Sequence, residues 1–400
     1  MTPHVLYISG EDHHLRIPFM RALRNEGFRV TAAGTGDPAP FCQADLDYRR
    51  FHFDRFVNPL GDLASIKALS SLIVETGPNI VQTCDTKPNL LVPLAARRLR
   101  DVQVVRLING RGWTYSSSSP QALMLRLVYR RLHRLAAGFT AANIFEIKDD
   151  QAFFQRHRMD GQRSLVIPGW IDIEEFDRAA RNAASPAQLR KELHLGMSEV
   201  VITVTRMTRH KGIPALLEAA ALVHEARPGV RFLLVGPRES EGPLAISQAE
   251  IDRHAPYVLA TGPRSDIPAL LGLADVFAFP TEYREGMPRV LMEAALARLP
   301  IVTTSMPGCA DLIRDGWNGF LVPPRQPRAL AARIIDLLRE RAAARQMADR
   351  ACELVRRELG LSAIVTRFAA LYAELVCDSN QDHLGATNPA QRQQLTVSEA

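Results

Sequence analysis

Short apolar runs alternate with longer amphipathic segments along the whole chain. The short runs have the make-up of buried strands, and the longer segments repeat apolar positions at helical spacing. This alternation is typical of parallel sheets joined by crossover helices. It predicts strands in the first half of the chain at 5–9, 29–33, 80–82, 104–107, 139–142 and 165–167. In the second half it predicts strands at 200–205, 232–235, 257–260, 276–279, 301–304 and 320–322.

The two sets of strands predict two domains. The 400 residues exceed what one hydrophobic core usually holds. A polar, alanine-rich stretch ends at Ser185 and Pro186, which suit the N-cap and first position of a helix. We therefore predict an α/β protein of two Rossmann-like domains, residues 1–178 and 185–355. From 378 to 400 the apolar periodicity is lost, which predicts a disordered tail.

Charge and composition narrow the class of protein. The net charge of +6 suits an anionic partner, which could be nucleic acid, a phosphorylated small molecule or an acidic membrane surface. The sequence contains no nucleic-acid recognition motif, so we expect no nucleic-acid partner. It shows no secretory leader and no apolar run long enough to span a bilayer. With five scattered cysteines, these features predict a cytoplasmic protein with reduced thiols.

Residues 276–304 read as strand, loop, helix and strand, with Pro288 as the first helical residue. Free N–H groups at the start of such a helix attract anions. Glu293, further along the helix, suits a ribose because a carboxylate accepts hydrogen bonds from vicinal hydroxyls. Glu285 would face the opposite end of the same ligand. The remaining predicted ligand-binding residues here are Gly286, Met287, Pro288, Arg289 and Val290.

A plain structural interpretation of the same residues stays open. Arg289 and Glu293 could form an ordinary i,i+4 surface pair, with Glu285 a loop carboxylate. An arginine in the first turn of a helix opposes the helix dipole, however, and a bound anion would relieve that conflict.

Two cations follow the strand at 200–205. Arg206 lies just past its carboxyl end and Lys211 lies near the start of the next helix, where a parallel sheet binds ligands. Together they would neutralise a diphosphate and stabilise it as a leaving group. Gly236 and Arg264, after later strands, could frame a nucleobase. Solvated loop residues and ordinary turns are the alternatives.

The first domain offers weaker candidates. Asn109 and Gly110 belong to a glycine-rich loop at the carboxyl end of a strand. Four polar residues after the first strand are candidates for the acceptor side, although solvated loop histidines would also explain two of them; they are Glu11, Asp12, His13 and His14. Residues 121–137 form a basic amphipathic helix that could lie on an anionic bilayer or pack on its own sheet with its arginines in water.

The fragment EGMPRVLMEA, with Glu285 and Glu293 eight residues apart, resembles the signature of the family 4 retaining glycosyltransferases. The form REGMPRVLMEA is most similar to the branch that builds bacterial surface polysaccharides and lipid-linked oligosaccharides. The resemblance implies the GT-B fold, two domains facing across a cleft, with a C-terminal helix at 356–377 returning to the first. It places Glu285 by the donor sugar, Glu293 on the ribose, and Arg206 and Lys211 on the phosphates.

The resemblance also implies a reaction. A hexose or N-acetylhexosamine would pass with retention from a nucleotide-diphosphate sugar, UDP favoured over GDP, to a hydroxyl of a polyprenyl-diphosphate-linked or other oligosaccharide acceptor. The leaving diphosphate would deprotonate that hydroxyl, with Glu285 positioning and stabilising charge. No metal or other cofactor is expected, because Arg206 and Lys211 take the place of a cation. The expected location is the cytoplasm, at the inner face of the membrane.

Competing functions remain open. A nucleotide-sugar epimerase or a glycogen-synthase-like enzyme could use the same fold. A catalytically silent scaffold is a further alternative, since Asn109 stands where many relatives have a histidine.

Overall fold

The computed structural model describes residues 2–10, 13–51, 58–99, 101–116 and 119–386. Two compact units emerge, one comprising Met1–Ile167 with Leu361–Ala400 and the other Pro168–Gly360. Within the described ranges each unit is built on one parallel sheet, of seven strands in the first and six in the second. The predicted α/β architecture of two Rossmann-like domains is confirmed.

In the first unit the strand order is β3-β2-β1-β4-β5-β6-β7. The strands are β1 His4–Ile8, β2 Arg29–Gly34, β3 Asp47–Arg50, β4 Ile80–Thr83, β5 Gln103–Ile108, β6 Ala142–Phe145 and β7 Ser164–Val166. The helices are α1 Ile17–Asn25, α2 Ala39–Gln43, α3 Pro59–Thr76, α4 Thr86–Ala96, α5 Gly112–Ser116, α6 Pro120–Ala137 and α7 Lys148–Arg156. The central strands β1 and β4 are buried along their whole length, as expected where helices cover both faces.

In the second unit the strand order is β10-β9-β8-β11-β12-β13. The strands are β8 Glu199–Val204, β9 Val230–Val235, β10 Val258–Gly262, β11 Val276–Phe279, β12 Ile301–Thr304 and β13 Phe320–Val322. The helices are α8 Ile173–Arg181, α9 Pro186–Glu192, α10 Ile213–Ala226, α11 Gln248–Asp252, α12 Ile267–Leu273, α13 Arg289–Leu296, α14 Pro307–Leu312, α15 Pro327–Arg339 and α16 Arg341–Leu354. Ser185 caps α9 as predicted, in a capping box with Gln188.

The last helix, α17 Leu361–Ala386, belongs to the first unit. Tyr372 is fully buried there and its hydroxyl donates to Gln82 Oε1 at 2.6 Å. Phe368 meets Phe19 of α1 edge-on, with ring centroids 4.9 Å apart. The helix thus continues past the point where the disordered tail is predicted to start, and residues 387–400 lie outside the described ranges.

The boundary between the units lies earlier than the predicted 178. Ile171 and Phe176 are buried in the core of the second unit, so α8 packs there and not on the first sheet. Two strands also differ from prediction. β3 was not predicted because an edge strand with an exposed, charged sequence lacks the apolar pattern. β6 starts three positions after the predicted strand, because residues 138–140 end α6 and turn into the sheet.

The strand order places the reversal of the second sheet between β8 and β11. In open α/β sheets, ligands bind outside the carboxyl ends of the strands at such a reversal. The loops that follow β8 and β11 carry Arg206, Lys211 and Glu285. The fold therefore gathers the main candidates from distant parts of the sequence at one edge of one sheet.

Candidate active site

Lys211 and Glu285 are in direct contact. The Lys211 ammonium group lies 2.6 Å from Glu285 Oε2, and the two side chains are only 9% and 25% exposed. Thr281 Oγ1 donates to the other carboxylate oxygen at 3.3 Å, and the Thr281 carbonyl in turn accepts from Thr304 Oγ1 at 2.7 Å. The rings of Phe279 and Tyr283 lie 5.7 and 6.0 Å from the ammonium nitrogen. The predicted cation and carboxylate thus form one fixed, largely buried ion pair.

Three glycines allow the loops around this pair to pack backbone on backbone. A Cβ at Gly212 would lie 1.9 Å from the carbonyl oxygen of Pro280, and one at Gly236 would lie 1.9 Å from that of Thr205. A Cβ at Gly308 would lie 2.0 Å from the carbonyl oxygen of Gly286, the residue after Glu285. No larger residue fits at these positions without moving a loop. Gly308 was missed from the sequence, although a Pro-Gly step directly after a strand was a usable signal.

Arg206 lies on the loop after β8, as predicted, and has an unpredicted partner. Its Nη1 is 3.1 Å from Glu241 Oε2; the arginine side chain is 58% exposed and that of Glu241 only 13%. The segment around Glu241 is tied to the Arg206 loop, because the Ile246 N–H donates to the Met207 carbonyl at 2.9 Å. The guanidinium is therefore anchored on one side and open to solvent on the other.

Helix α13 begins at Arg289, with Pro288 in the N-cap position, one residue later than predicted. Arg289 Nε lies 3.1 Å from Glu293 Oε1, so the plain i,i+4 pair exists in this structure. Burial raises the pKa of the Glu293 carboxyl, and Arg289 opposes that shift. Met287 and Val290 are partly buried and pack their side chains against the core of the second unit. Gly286 is buried, with its carbonyl against Gly308.

Arg264, predicted beside the nucleobase, is held in an ion network. Its guanidinium contacts Asp266 Oδ2 at 2.6 Å and Glu192 Oε1 at 2.8 Å. The hydrogen bonds that Arg264 donates to the carboxylates of Asp266 and Glu192 raise its pKa further above its ordinary value. These contacts fix the arginine in place after β10.

The predicted ligand-binding residues of the first unit differ in how far they are exposed to solvent. Asn109 Nδ2 donates to Cys84 Sγ at 3.1 Å, and the next residue, Gly110, has a φ of 145°. His13 is buried among Tyr7, Phe41 and Tyr48, and burial lowers its pKa to about 3. Interpreting His13 as a solvated loop histidine is therefore wrong, whereas His14 is exposed. Glu11 and Asp12 lie outside the described residues.

Helix α6 turns an apolar face outward. Among its outward-facing residues Leu123 is 49% exposed, Met124 71%, Leu127 67% and Val128 52%. On the inner side Arg126 is half-buried and donates to the carbonyls of Thr114 and Tyr115, at 2.9 and 3.2 Å. The alternative in which α6 packs on its own unit with its arginines in water holds in part: Arg131 and Arg134 are exposed, whereas Arg126 is half-buried.

The described part of the chain contains neither a membrane-spanning helix nor a candidate metal site. No helix in it is long and apolar enough to cross a bilayer. Nor do its histidine, cysteine and acidic side chains include a group of three that could hold a metal ion.

Two family models match the chain side by side. The model described as Glycosyltransferase Family 4 matches residues 19–175, and that described as Glycosyl transferases group 1 matches residues 198–340. The second match includes the loops that carry Arg206, Lys211 and Glu285. Together they account for most of both units.

Curated relatives extend over most of the chain. An N,N'-diacetylbacillosaminyl-diphospho-undecaprenol alpha-1,3-N-acetylgalactosaminyltransferase of Campylobacter jejuni is 25% identical over 332 residues, covering 82% of this chain and 86% of that protein. A UDP-Gal:alpha-D-GlcNAc-diphosphoundecaprenol alpha-1,3-galactosyltransferase of Escherichia coli is 28% identical over 274 residues, covering 67% and 68%. Among solved structures, Anabaena Alr3699/HepE in complex with UDP superposes with a TM-score of 0.76 at 21% identity, covering 93% of this chain and all of that one.

Proposed function

Since the chain belongs to the family 4 glycosyltransferases of GT-B fold, we propose that it builds a cell-surface polysaccharide at the inner face of the cytoplasmic membrane. It transfers a hexose or N-acetylhexosamine from a nucleotide-diphosphate sugar, with retention, to a hydroxyl of a polyprenyl-diphosphate-linked glycan. The names of the Campylobacter and Escherichia coli relatives, both of which act on diphospho-undecaprenol carriers, support this acceptor class. The name of the second and the UDP complex of the Anabaena protein support a UDP-sugar donor.

The observation that carries the proposal is the buried pair of Lys211 and Glu285. The Lys211 ammonium group lies 2.6 Å from the Glu285 carboxylate and beside the ring of Phe279. It is therefore a preorganised positive charge in a poorly solvated place. Such a charge stabilises a leaving diphosphate more strongly than a solvated lysine does. Arg206, anchored by Glu241 but open to solvent, supplies the second positive charge. These two residues do the work that a divalent cation does in other transferases.

The reaction balances without a covalent enzyme intermediate. The bond from the sugar's anomeric carbon to the diphosphate breaks, and a bond to the acceptor oxygen forms on the same face. The acceptor's proton passes to an oxygen of the departing diphosphate. Glu285 is held by Lys211 and Thr281, so it orients the donor sugar and stabilises positive charge on the anomeric carbon.

The test is an acceptor-dependent transfer assay with purified protein, membrane extract as acceptor and a panel of UDP- and GDP-sugars. Glu285→Gln should lower transfer by about 100-fold or more while nucleotide binding persists, because the electrostatic term acts mainly in the transition state. Glu282→Gln is the matched control. Glu282 lies on the same loop but its carboxylate is held by the exposed Arg325 at 2.6 Å. Unchanged turnover in Glu285→Gln, or equal losses in both variants, would contradict the assignment.

We also propose that α6 holds the protein on the bilayer. Its outward leucines and methionine would enter the apolar side of the interface, and Arg131 and Arg134, both exposed on the same helix, would meet anionic headgroups. This arrangement would keep the enzyme on the surface where a polyprenyl-linked acceptor is embedded.

A further inference from the structure

Asp85 has a backbone conformation that aspartate rarely adopts. It directly follows β4 and has φ 72° and ψ 160°. This region is essentially reserved for glycine, because a Cβ crowds the backbone there. Non-glycine residues persist in it only where their surroundings hold them, and they concentrate at ligand-binding and catalytic positions.

The side chain of Asp85 ties two neighbouring strands together. Its Oδ2 accepts hydrogen bonds from Ser9 Oγ at 2.8 Å and from the Gly10 N–H at 2.9 Å. Ser9 is buried at the carboxyl end of β1, and β1 and β4 are adjacent in the middle of the first sheet. The sheet reverses its strand order between these two strands, so Asp85 stands where open α/β sheets bind ligands.

Helix capping does not explain this aspartate. Asp85 occupies the N-cap position of α4, where an aspartate usually accepts a hydrogen bond from an N–H of the first turn. Its side chain makes no such bond among the described residues and turns toward Ser9 and Gly10. The strained backbone therefore aims the carboxylate at the edge of the sheet and away from the helix.

The second carboxylate oxygen remains available. Within the described ranges Oδ1 accepts only a long hydrogen bond from the weakly donating Cys84 thiol, at 3.9 Å, and Asp85 is exposed. Directly after the neighbouring strand β5, Asn109 donates its amide to Cys84, while its Oδ1 is buried and has no hydrogen-bond partner within the described ranges. Unused acceptors beside an exposed carboxylate fit a ligand that carries hydroxyl donors.

We propose that Asp85 binds a hydroxyl of the acceptor sugar, with Ser9 holding the carboxylate in position. This inference rests on the proposed glycosyl transfer and adds an acceptor contact to it. Asp85 Oδ1 accepts a hydrogen bond from a sugar hydroxyl and takes no proton, because in the proposed reaction the proton goes to the leaving diphosphate. The donor half of the site does not involve this residue.

The experiment compares Asp85→Asn with Asp45→Asn, using the assay above. Asp45 also lies in the first unit, is exposed and has a positive φ of 56°, but its side chain pairs with Arg24. We expect Asp85→Asn to lower kcat/KM for the acceptor by about 10- to 100-fold, as loss of a charged hydrogen-bond acceptor does. UDP affinity and thermal midpoint should stay near those of the unmodified protein, and Asp45→Asn should transfer normally.

A Ser9→Ala variant tests the positioning role. We expect it to lower acceptor kcat/KM by about threefold or more alone and to add little in the Asp85→Asn background, since the two residues act as one unit. Full additivity would overturn the role of Ser9. Transfer by Asp85→Asn within twofold of the unmodified protein, or an equal loss in Asp45→Asn, would overturn the role of Asp85. If the unmodified protein transfers no sugar from any donor, the proposed function fails first and this inference falls with it.

Discussion

Glu285 is bound through both carboxylate oxygens before any donor arrives. Lys211 holds Oε2 and Thr281 holds Oε1. A diphosphate bound as proposed would therefore share this ammonium group with the carboxylate. The result is a site whose charges are already oriented, and whose reorganisation on binding is small.

The first prediction concerns the stability of this pair. Lys211→Met should lower the free energy of unfolding by about 1–3 kcal/mol, because it leaves a partly buried carboxylate without its cation. The double variant Lys211→Met with Glu285→Gln should recover part of the loss. Chemical denaturation of the four proteins of this cycle measures both effects. Lys191→Met, at an exposed helix position, is the control and should change little. A cycle with no coupling would contradict a paired Glu285.

The second prediction uses two glycines in the second unit. Gly308→Ala places a methyl group against the carbonyl oxygen of Gly286 and must move the loop that carries Glu285, so transfer should fall by about tenfold or more. Gly272→Ala is the matched control, because Gly272 lies inside α12 with no neighbour near its Cβ. It should keep full activity and gain up to about 1 kcal/mol of stability. Nucleotide titration and the transfer assay separate the two variants, and equal behaviour would show that the loop contact is unimportant.

These residues also show what the sequence could predict. The positions of Glu285, Lys211 and Arg206 after strands could be predicted from the sequence, whereas the roles that the family signature suggests for them stay a prediction. Their contacts could not be predicted, because Lys211 and Glu285 meet across loops whose path depends on Gly212 and Gly308. No sequence pattern points to Asp85, because the residues around it are equally compatible with a strained backbone and with an ordinary turn.

Among the elements, α6 shows how a helical pattern can mislead. The apolar positions of a helix usually mark its buried face, and that rule puts Val128 and Leu135 inside. Both are 52% exposed, whereas Arg126 is half-buried and donates to the carbonyls of Thr114 and Tyr115. Those carbonyls belong to α5, the short helix before α6, so only the tertiary structure reveals that an arginine contacts them.

The third prediction tests the outward face of α6. Replacing Leu123, Met124 and Leu127 by glutamine should reduce binding to phosphatidylglycerol-containing vesicles by about tenfold or more, since each exposed apolar side chain adds to partitioning. Vesicle sedimentation measures this, and the folded state is checked by its thermal midpoint. Val74, 63% exposed on α3, and Leu222, 36% exposed on α10, provide the control pair for glutamine replacement. Equal binding by both variants, or no binding by the unmodified protein, would exclude α6 as the membrane contact.

On the scale of the whole molecule, the two units have separate cores, and the first unit is formed by two segments of the chain, Met1–Ile167 and Leu361–Ala400. The fold class was predictable because the strand and helix rhythm is strong in both halves. The boundary was not placed correctly from composition, since a polar, alanine-rich stretch at 174–185 looks like a linker. Phe176 within it is buried, and one aromatic side chain in the second core outweighs the polar composition around it.

The last prediction concerns α17, which lies in the second segment of the first unit. A chain ending at residue 360 lacks the whole of α17, and with it Phe368 and Tyr372, which are buried in the first unit. The first unit should then unfold at a lower temperature or fail to fold, because burial of these rings contributes several kcal/mol. The second unit, whose residues end at Gly360, should still bind UDP and melt as before. A chain ending at residue 377 keeps both aromatic side chains and is the control.

Calorimetry with and without UDP assigns each transition, because only the transition of the unit that binds the nucleotide moves to a higher temperature. If the shorter chain kept both transitions unchanged, α17 would not be part of the first core.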